Sequence, residues 1–403
     1  MEIDNYRLRV LIGFLGCSTL FLVLLSPGSI TSVVGLLGSM LSLLLVPLIT
    51  LSSQLNNGKT LLTYSSRNTK VIILISFAIF LSILITSWQA FSGMGSITNF
   101  FDLTKFINIL CPFMLVTLMK KSDVDFLDKY AIRLFTIYLF LTILLILMQN
   151  ISPGLSLWRF ISESTHYKHL DSRPFGLNGS PTQAAFAILF VSFFFFVRKK
   201  YYLFLLSGIC LFLVQNKLTL LVFVAAILYI LLSSKLPKLV KIILVFIFAV
   251  AVLYVVSISA ALASFVFDSS RLVESNTYTH RMDLLFIIID RVQDWKFLLF
   301  GLPDKQYWAE EFGAFDMMYA LVIFRFGALF FIFFLLMLIY IASVMFKGKN
   351  KILCTMFIFG TSFTMIGLFH SRYGILCSWI IALSFWYISS QNTDSKNKKS
   401  VNV

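Results

Sequence analysis

The chain has 403 residues and a net charge of +15, with 59% hydrophobic residues, 13% charged ones and a mean hydropathy of +0.91. A soluble globular chain carries about 25% charged residues, so this composition excludes a soluble domain and defines a polytopic membrane protein. It also removes nucleic acid as the reason for the positive charge. Most of the excess is Lys beside apolar stretches, where it sets orientation and meets anionic lipid.

At the N-terminus, Arg7 and Arg9 precede an apolar run that could pass for a signal peptide. No small-x-small cleavage pattern follows it, and a second apolar stretch begins at Ile30, so the first helix is expected to stay on the protein. No charge occurs between Arg9 and Lys59, but Ser26-Pro27-Gly28-Ser29 interrupts the run. That predicts a helix–turn–helix pair, each arm near the roughly 20 residues needed to cross hydrocarbon. Further spans are predicted over 71–90, 100–119, 131–149, 181–197, 201–216, 218–234, 240–259, 317–346, 352–369 and 372–389. Two of these nearly touch at Asn216-Lys217, and merging them would move everything downstream to the other side.

Charge argues against the merger. With twelve spans, Lys59/Arg67/Lys70, Lys120/Lys121/Lys129/Arg133, Arg198/Lys199/Lys200, Lys235/Lys238/Lys241, Lys347/Lys349/Lys351 and Lys396/Lys398/Lys399 all fall on one side. By the positive-inside rule that side is cytoplasmic. The predicted fold is therefore all-α: a polytopic membrane helix bundle of about 12 transmembrane helices with a large periplasmic loop. Residues 1–390 form a single transmembrane domain with outer loops over 150–180 and 259–315. Residues 391–403 are read as a solvated, disordered cytoplasmic tail, and both termini are placed in the cytoplasm.

The outer side breaks the usual pattern. It holds Arg159, Arg173, Arg271, Arg281, Arg291, Arg325 and Arg372, together with all four histidines, His166, His169, His280 and His370. Guanidinium grips phosphate through paired, geometrically fixed hydrogen bonds, so this enrichment points to an anionic substrate on the outer face. Within the second outer loop, His280–Phe300 reads as one amphipathic helix. His280, Asp283, Asp290 and Asp294 share a face, and Leu284, Leu285, Ile287, Ile288, Val292 and Trp295 cover much of the rest. Such a helix lies in the interface plane or caps the bundle.

Individual candidates each have a plainer alternative. Arg173, with the start of the following span and Asn178, would make an anion cradle; it could equally pair with lipid phosphate. Lys217 is the only charge between Lys200 and Lys235, and either faces the bundle or snorkels to the surface. Arg281 stands beside His280 in the second loop. Arg325, inside an apolar span, needs a partner, which Asp316, Glu310 or Glu311 could supply. Asp316 and His370 are the candidate proton acceptors for attack by a hydroxyl; a helix-capping Asp and an interfacial His are the alternatives. Asp123-Val124-Asp125 resembles a metal-holding acidic pair but reads better as a solvated loop of mixed charge. The cysteines lie in apolar stretches without CxxC spacing, and neither a metal nor another cofactor is expected.

The order of these features resembles the O-antigen polymerase family, the Wzy proteins of bacterial lipopolysaccharide assembly, and the related O-antigen ligases. About twelve spans, a first outer loop and a large second one before the last three spans carry the likeness over most of the chain. Arg173-Pro174-Phe175-Gly176-Leu177-Asn178-Gly179-Ser180-Pro181 looks like the family's Arg–x–x–Gly segment, Gln215-Asn216-Lys217 stands where many members have Ser-Arg, and His280-Arg281 followed by Trp295 and Gly301 looks like the Arg…Trp…Gly loop. Phe315-Asp316-Met317-Met318-Tyr319, then Arg325-Phe326-Gly327, stands where the family shows His-Asn before Tyr-Gly. Here Phe315 replaces the His and Asp316 the Asn, which tilts the resemblance from ligase toward polymerase.

What the resemblance implies is a metal-independent glycosyltransferase in the bacterial inner membrane. It would join undecaprenyl-pyrophosphate-linked oligosaccharide repeat units on the periplasmic face, with Asp316 or His370 as base and Arg173, Lys217, His280, Arg281, Arg325 and Tyr319 holding pyrophosphate and glycan. Membrane lipid and a chain-length regulator protein are the implied partners. The competing readings are an O-antigen ligase with the same donor, a lipid-linked glycan flippase or other transporter, and a structural scaffold. A transporter places ionisable groups near the midplane, whereas these spans are almost uncharged.

Overall fold

The computed structural model describes residues 2–30, 33–42, 66–93, 121–162, 174–214, 216–234, 239–243, 276–301, 318–362 and 371–401, with a few isolated positions between them. The described residues contain helices and turns and no strand. Among the described residues, four helical stretches are long and apolar enough to cross a membrane, namely Ile73–Phe91, Val124–Ile151, Ala328–Met345 and Arg372–Ser390. Shorter apolar helices accompany them. The predicted spans over 100–119 and 240–259 lie almost wholly outside the described residues.

In chain order the helices are α1 (Glu2–Leu25), α2 (Val33–Ser42), α3 (Ser66–Phe91), α4 (Lys121–Ile151), α5 (Leu157–Ile161), α6 (Pro181–Val197), α7 (Tyr201–Val214), α8 (Lys217–Leu232), α9 (Asn276–Arg291), α10 (Trp295–Phe300), α11 (Met318–Phe326), α12 (Ala328–Met345), α13 (Lys349–Ser362) and α14 (Ser371–Val401). Their boundaries follow local chemistry. Ser180 is extended at the N-cap of α6 and its hydroxyl accepts from Gln183 N, while Pro181 occupies the first turn, where its missing N–H costs nothing. Asn216 does the same for α8, accepting from Thr219 N at 3.1 Å. The split between α7 and α8 is thus made by a cap. The two helices fold back as a hairpin, with Gly208 against the ring of Phe223.

The centre of the bundle is α6. It is apolar on every side, and a helix of that kind belongs in a protein interior. Of its 17 residues, only Thr182 and Phe196 are not buried. It packs against α4, α7, α8, α13 and α14.

Two ends of the bundle can be told apart by contacts. At one end Arg372, fully buried at the start of α14, donates to the carbonyls of Val23 (2.6 Å), Leu24 (3.4 Å), Ser26 (2.6 Å) and Pro27 (3.3 Å). The last turn of a helix leaves its carbonyls without intrahelical partners, and one guanidinium fork closes this one for α1. The end of α4 and the start of α6 meet at the same end, through Gln149 and Asn178. At the other end Arg198, the C-cap of α6, forms a buried ion pair with Asp128 of α4, with Nε at 3.0 Å from Oδ1. It also donates to Phe194 O and to Leu383 O of α14, beneath the ring of Tyr387.

Four expectations change. Arg372 is spent on backbone carbonyls and does not belong to a substrate-facing cation set. Asp125 and Asp128 lie in α4, with Asp128 buried against Arg198, so the acidic cluster is not a solvated loop. The predicted 317–346 span is two helices, broken where Gly327 takes φ 89°, which only glycine adopts without strain. The 391–403 segment continues α14 as far as Val401. No Pro or Gly interrupts it, and Lys396, Lys398 and Lys399 suit the negative end of a helix dipole.

Closure of α1 by Arg372 yields a test. Arg372→Met should cost about 3 kcal/mol of stability, because several buried carbonyls lose a charged donor together. Arg372→Lys should recover only part of this, since an ammonium lacks the fork that spans four acceptors. Equal stability of the Lys variant and the native protein in a denaturant titration in detergent would contradict the closure.

Candidate functional site

Two assemblies bear on the candidate residues: a polar one that orders the segment entering a central helix, and a pair of helices docked through an apolar patch. The first gathers around 174–181, the segment leading into α6. Gln149, fully buried near the end of α4, accepts from Phe175 N and Gly176 N at 3.0 Å each and donates to Gly176 O at 3.0 Å. One amide therefore supplies the hydrogen bonds that a neighbouring strand would otherwise provide. Gly176 takes φ 56° here, and a Cβ on it would crowd Thr142 at 3.1 Å.

Two residues further on, Asn178 is fully buried. Its Oδ1 accepts from Tyr138 OH at 2.6 Å, its Nδ2 donates to Tyr373 Oη at 2.9 Å, and Tyr373 OH donates to Asn178 O at 3.4 Å. Tyr373 adjoins the guanidinium of Arg372. The expected anion cradle looks different in this light. The amide of Asn178 is engaged by two tyrosines, Pro181 has no N–H, and the N–H of Gln183 is taken by Ser180. Arg173 lies outside the described residues.

The second assembly carries four of the eight candidate site residues. His280 and Arg281 fall in the first two turns of α9. That helix buries Leu284 and Ile288 against Ala320, Ile323 and Phe324 of α11, the helix that bears Tyr319 and Arg325. Tyr319 OH donates to Phe359 O of α13 at 3.0 Å, and its ring meets Phe331 edge-on. Arg325 is 2% exposed, in the last turn of α11. The predicted single helix over His280–Phe300 is instead α9 and α10. Asp294 restarts the chain as an N-cap, accepting from Lys296 N at 2.9 Å. A narrower apolar stripe than expected is buried, because Leu285, Phe286, Ile289, Val292 and Trp295 remain exposed.

Lys217 is the first residue of α8. Asp316 and His370 lie outside the described residues. Among the described residues no three His, Cys, Asp or Glu side chains cluster as a metal site. The five cysteines are unbridged.

Attention to charges alone overlooked Gln89, Tyr138, Gln149 and Tyr373. A lone Gln within an apolar helix was the available signal, since an amide there must find a partner. Comparison of the chain with protein-family models, curated proteins and solved structures gives no match.

Asn178 makes the first assembly testable. Tyr138→Phe and Tyr373→Phe each strand part of one amide and should each cost about 1–3 kcal/mol. Because they share that amide, the double variant should lose less than the sum. Strict additivity would mean the tyrosines act independently of Asn178.

Proposed function

We propose that the protein is a lipid-linked oligosaccharide polymerase: a metal-independent glycosyltransferase of the bacterial inner membrane that resembles the O-antigen polymerases. One observation carries the reading. An amphipathic helix bearing His280-Arg281 docks on a short helix bearing Tyr319 and a buried Arg325, at the edge of a bundle made of apolar helices. The expected twelve-span arrangement, with both termini cytoplasmic, would put that unit on the outer face.

In this reading the donor is an undecaprenyl-pyrophosphate-linked glycan. A hydroxyl of the incoming repeat unit attacks the anomeric carbon, the new glycosidic bond forms, and the bond from that carbon to the pyrophosphate oxygen breaks. Undecaprenyl pyrophosphate leaves with the electron pair, and the hydroxyl proton passes to Asp316 or His370. Negative charge grows on the leaving oxygen, and preorganised cations in a water-poor cleft stabilise it without reorganising. Arg173, Lys217, Arg281 and Arg325 take that role, with His280 and Tyr319 on the glycan.

Products separate this activity from its rivals. A deletion strain should attach single repeat units to the lipid A–core and no long chains, because flipping and ligation are supplied by other proteins. Arg281→Ala should reproduce that one-unit pattern at normal protein level, and Arg281→Lys should restore only part of the chain length. Complete loss of attached units on deletion would indicate a flippase. Long polymer left on undecaprenyl pyrophosphate would indicate a ligase.

A further inference from the structure

Trp88 and Gln89 sit in the last turn of α3, far in sequence from the helices of the second assembly. Gln89 is 1% exposed, and its Nε2 donates to Phe300 O at 2.5 Å and to Arg325 O at 2.9 Å. Both acceptors are carbonyls in the final turns of α10 and α11, where intrahelical partners run out. Since both are acceptors, the amide nitrogen and not the oxygen must face them, which fixes its orientation. The ring of Trp88 stacks on Phe300 at 5.2 Å beside this contact.

The two helix ends that Gln89 joins also cross each other without side chains between them. Gly301 (φ 70°) lies against the carbonyl of Phe324, and a Cβ on Gly327 (φ 89°) would fall 2.6 Å from the carbonyl carbon of Leu299. No other residue type fits that crossing. Three elements therefore share one joint. The joint fixes α10, and through α11 it fixes the backbone from which Arg325 projects.

We propose that Gln89 is a positioning residue for Arg325, holding the outer-loop helices in register with the membrane bundle so that Arg325 meets the pyrophosphate. This rests on the polymerase reading, in which Arg325 holds that group. Gln89 itself touches no substrate. Its amide links α3 to the last turns of both helices at once. A carboxylate at the same place would set negative charge against two carbonyls, so Gln89→Glu should be worse than the apolar Gln89→Leu.

The test measures binding of a short prenyl pyrophosphate, farnesyl pyrophosphate, to the purified full chain in detergent, with thermal stability recorded in parallel. Gln89→Leu and Arg325→Lys should each weaken binding by about tenfold, and the double variant should be no weaker than the poorer single one. A merely structural role for Gln89 would give losses that multiply. Unchanged binding in Gln89→Leu, while Arg325→Lys is impaired, overturns the positioning role and leaves the polymerase reading intact. Absence of binding by the native protein overturns the polymerase reading, and the positioning role with it. If Gln89→Leu yields no folded protein, Gln89→Met is used in its place. Failure of both to fold, with Arg325→Lys folded, marks Gln89 as structural and also overturns the proposal.

Discussion

Helix ends govern this structure. Each α-helix leaves several carbonyls and N–H groups without partners, and in an apolar bundle water cannot satisfy them. The chain answers with side chains reaching from neighbouring helices. Arg372 closes α1, Gln89 closes α10 and α11 together, Gln149 pins the segment entering α6, and Arg198 closes α6 while pairing with Asp128. Apolar faces bring the helices together, since almost any pairing of such faces buries similar area. The end-closing groups select one arrangement, because each needs a particular carbonyl at hydrogen-bond distance.

This economy also sorts the arginines. Guanidiniums look alike in a sequence, yet their work differs. Arg372 and Arg198 are buried among backbone acceptors and an aspartate and serve the fold. Arg281 stands on α9, which docks through Leu284 and Ile288 in a small apolar patch separate from the main core, whereas α11, which bears the buried Arg325, also sends Met318, Val322 and Phe326 into that core. The same separation explains why α9 shows exposed Phe286 and Ile289 on its far side. These suit contact with lipid rather than with the bundle.

Legibility in the sequence followed the range of the chemistry. Ser180-Pro181 and Asn216 act within three residues of themselves, so the starts of α6 and α8 were readable from order alone. The break at Gly327 was not. A glycine in an apolar run looks like a small packing residue until the close approach of Leu299 shows why φ must be positive there. Asp294 was placed on a polar face, although its capping of Lys296 N splits the predicted helix. The 391–401 segment is polar enough to read as a solvated tail, yet it holds no Pro or Gly and continues α14 as helix. Gln89, Gln149 and Arg372 were out of reach in a different way. Their acceptors lie 27 to 349 positions away in the chain, and no local pattern encodes such a pairing.

Chemistry on an anionic lipid-linked sugar is the central claim, and a reconstituted reaction addresses it most directly. The purified full-length protein would be given undecaprenyl-pyrophosphate-linked repeat units in detergent, with no metal, nucleotide sugar or other protein added. The account predicts a ladder of lipid-linked oligomers that grows by whole repeat units, with undecaprenyl pyrophosphate released at each step. Unchanged single units, or transfer only when a lipid A–core acceptor is supplied, would contradict it.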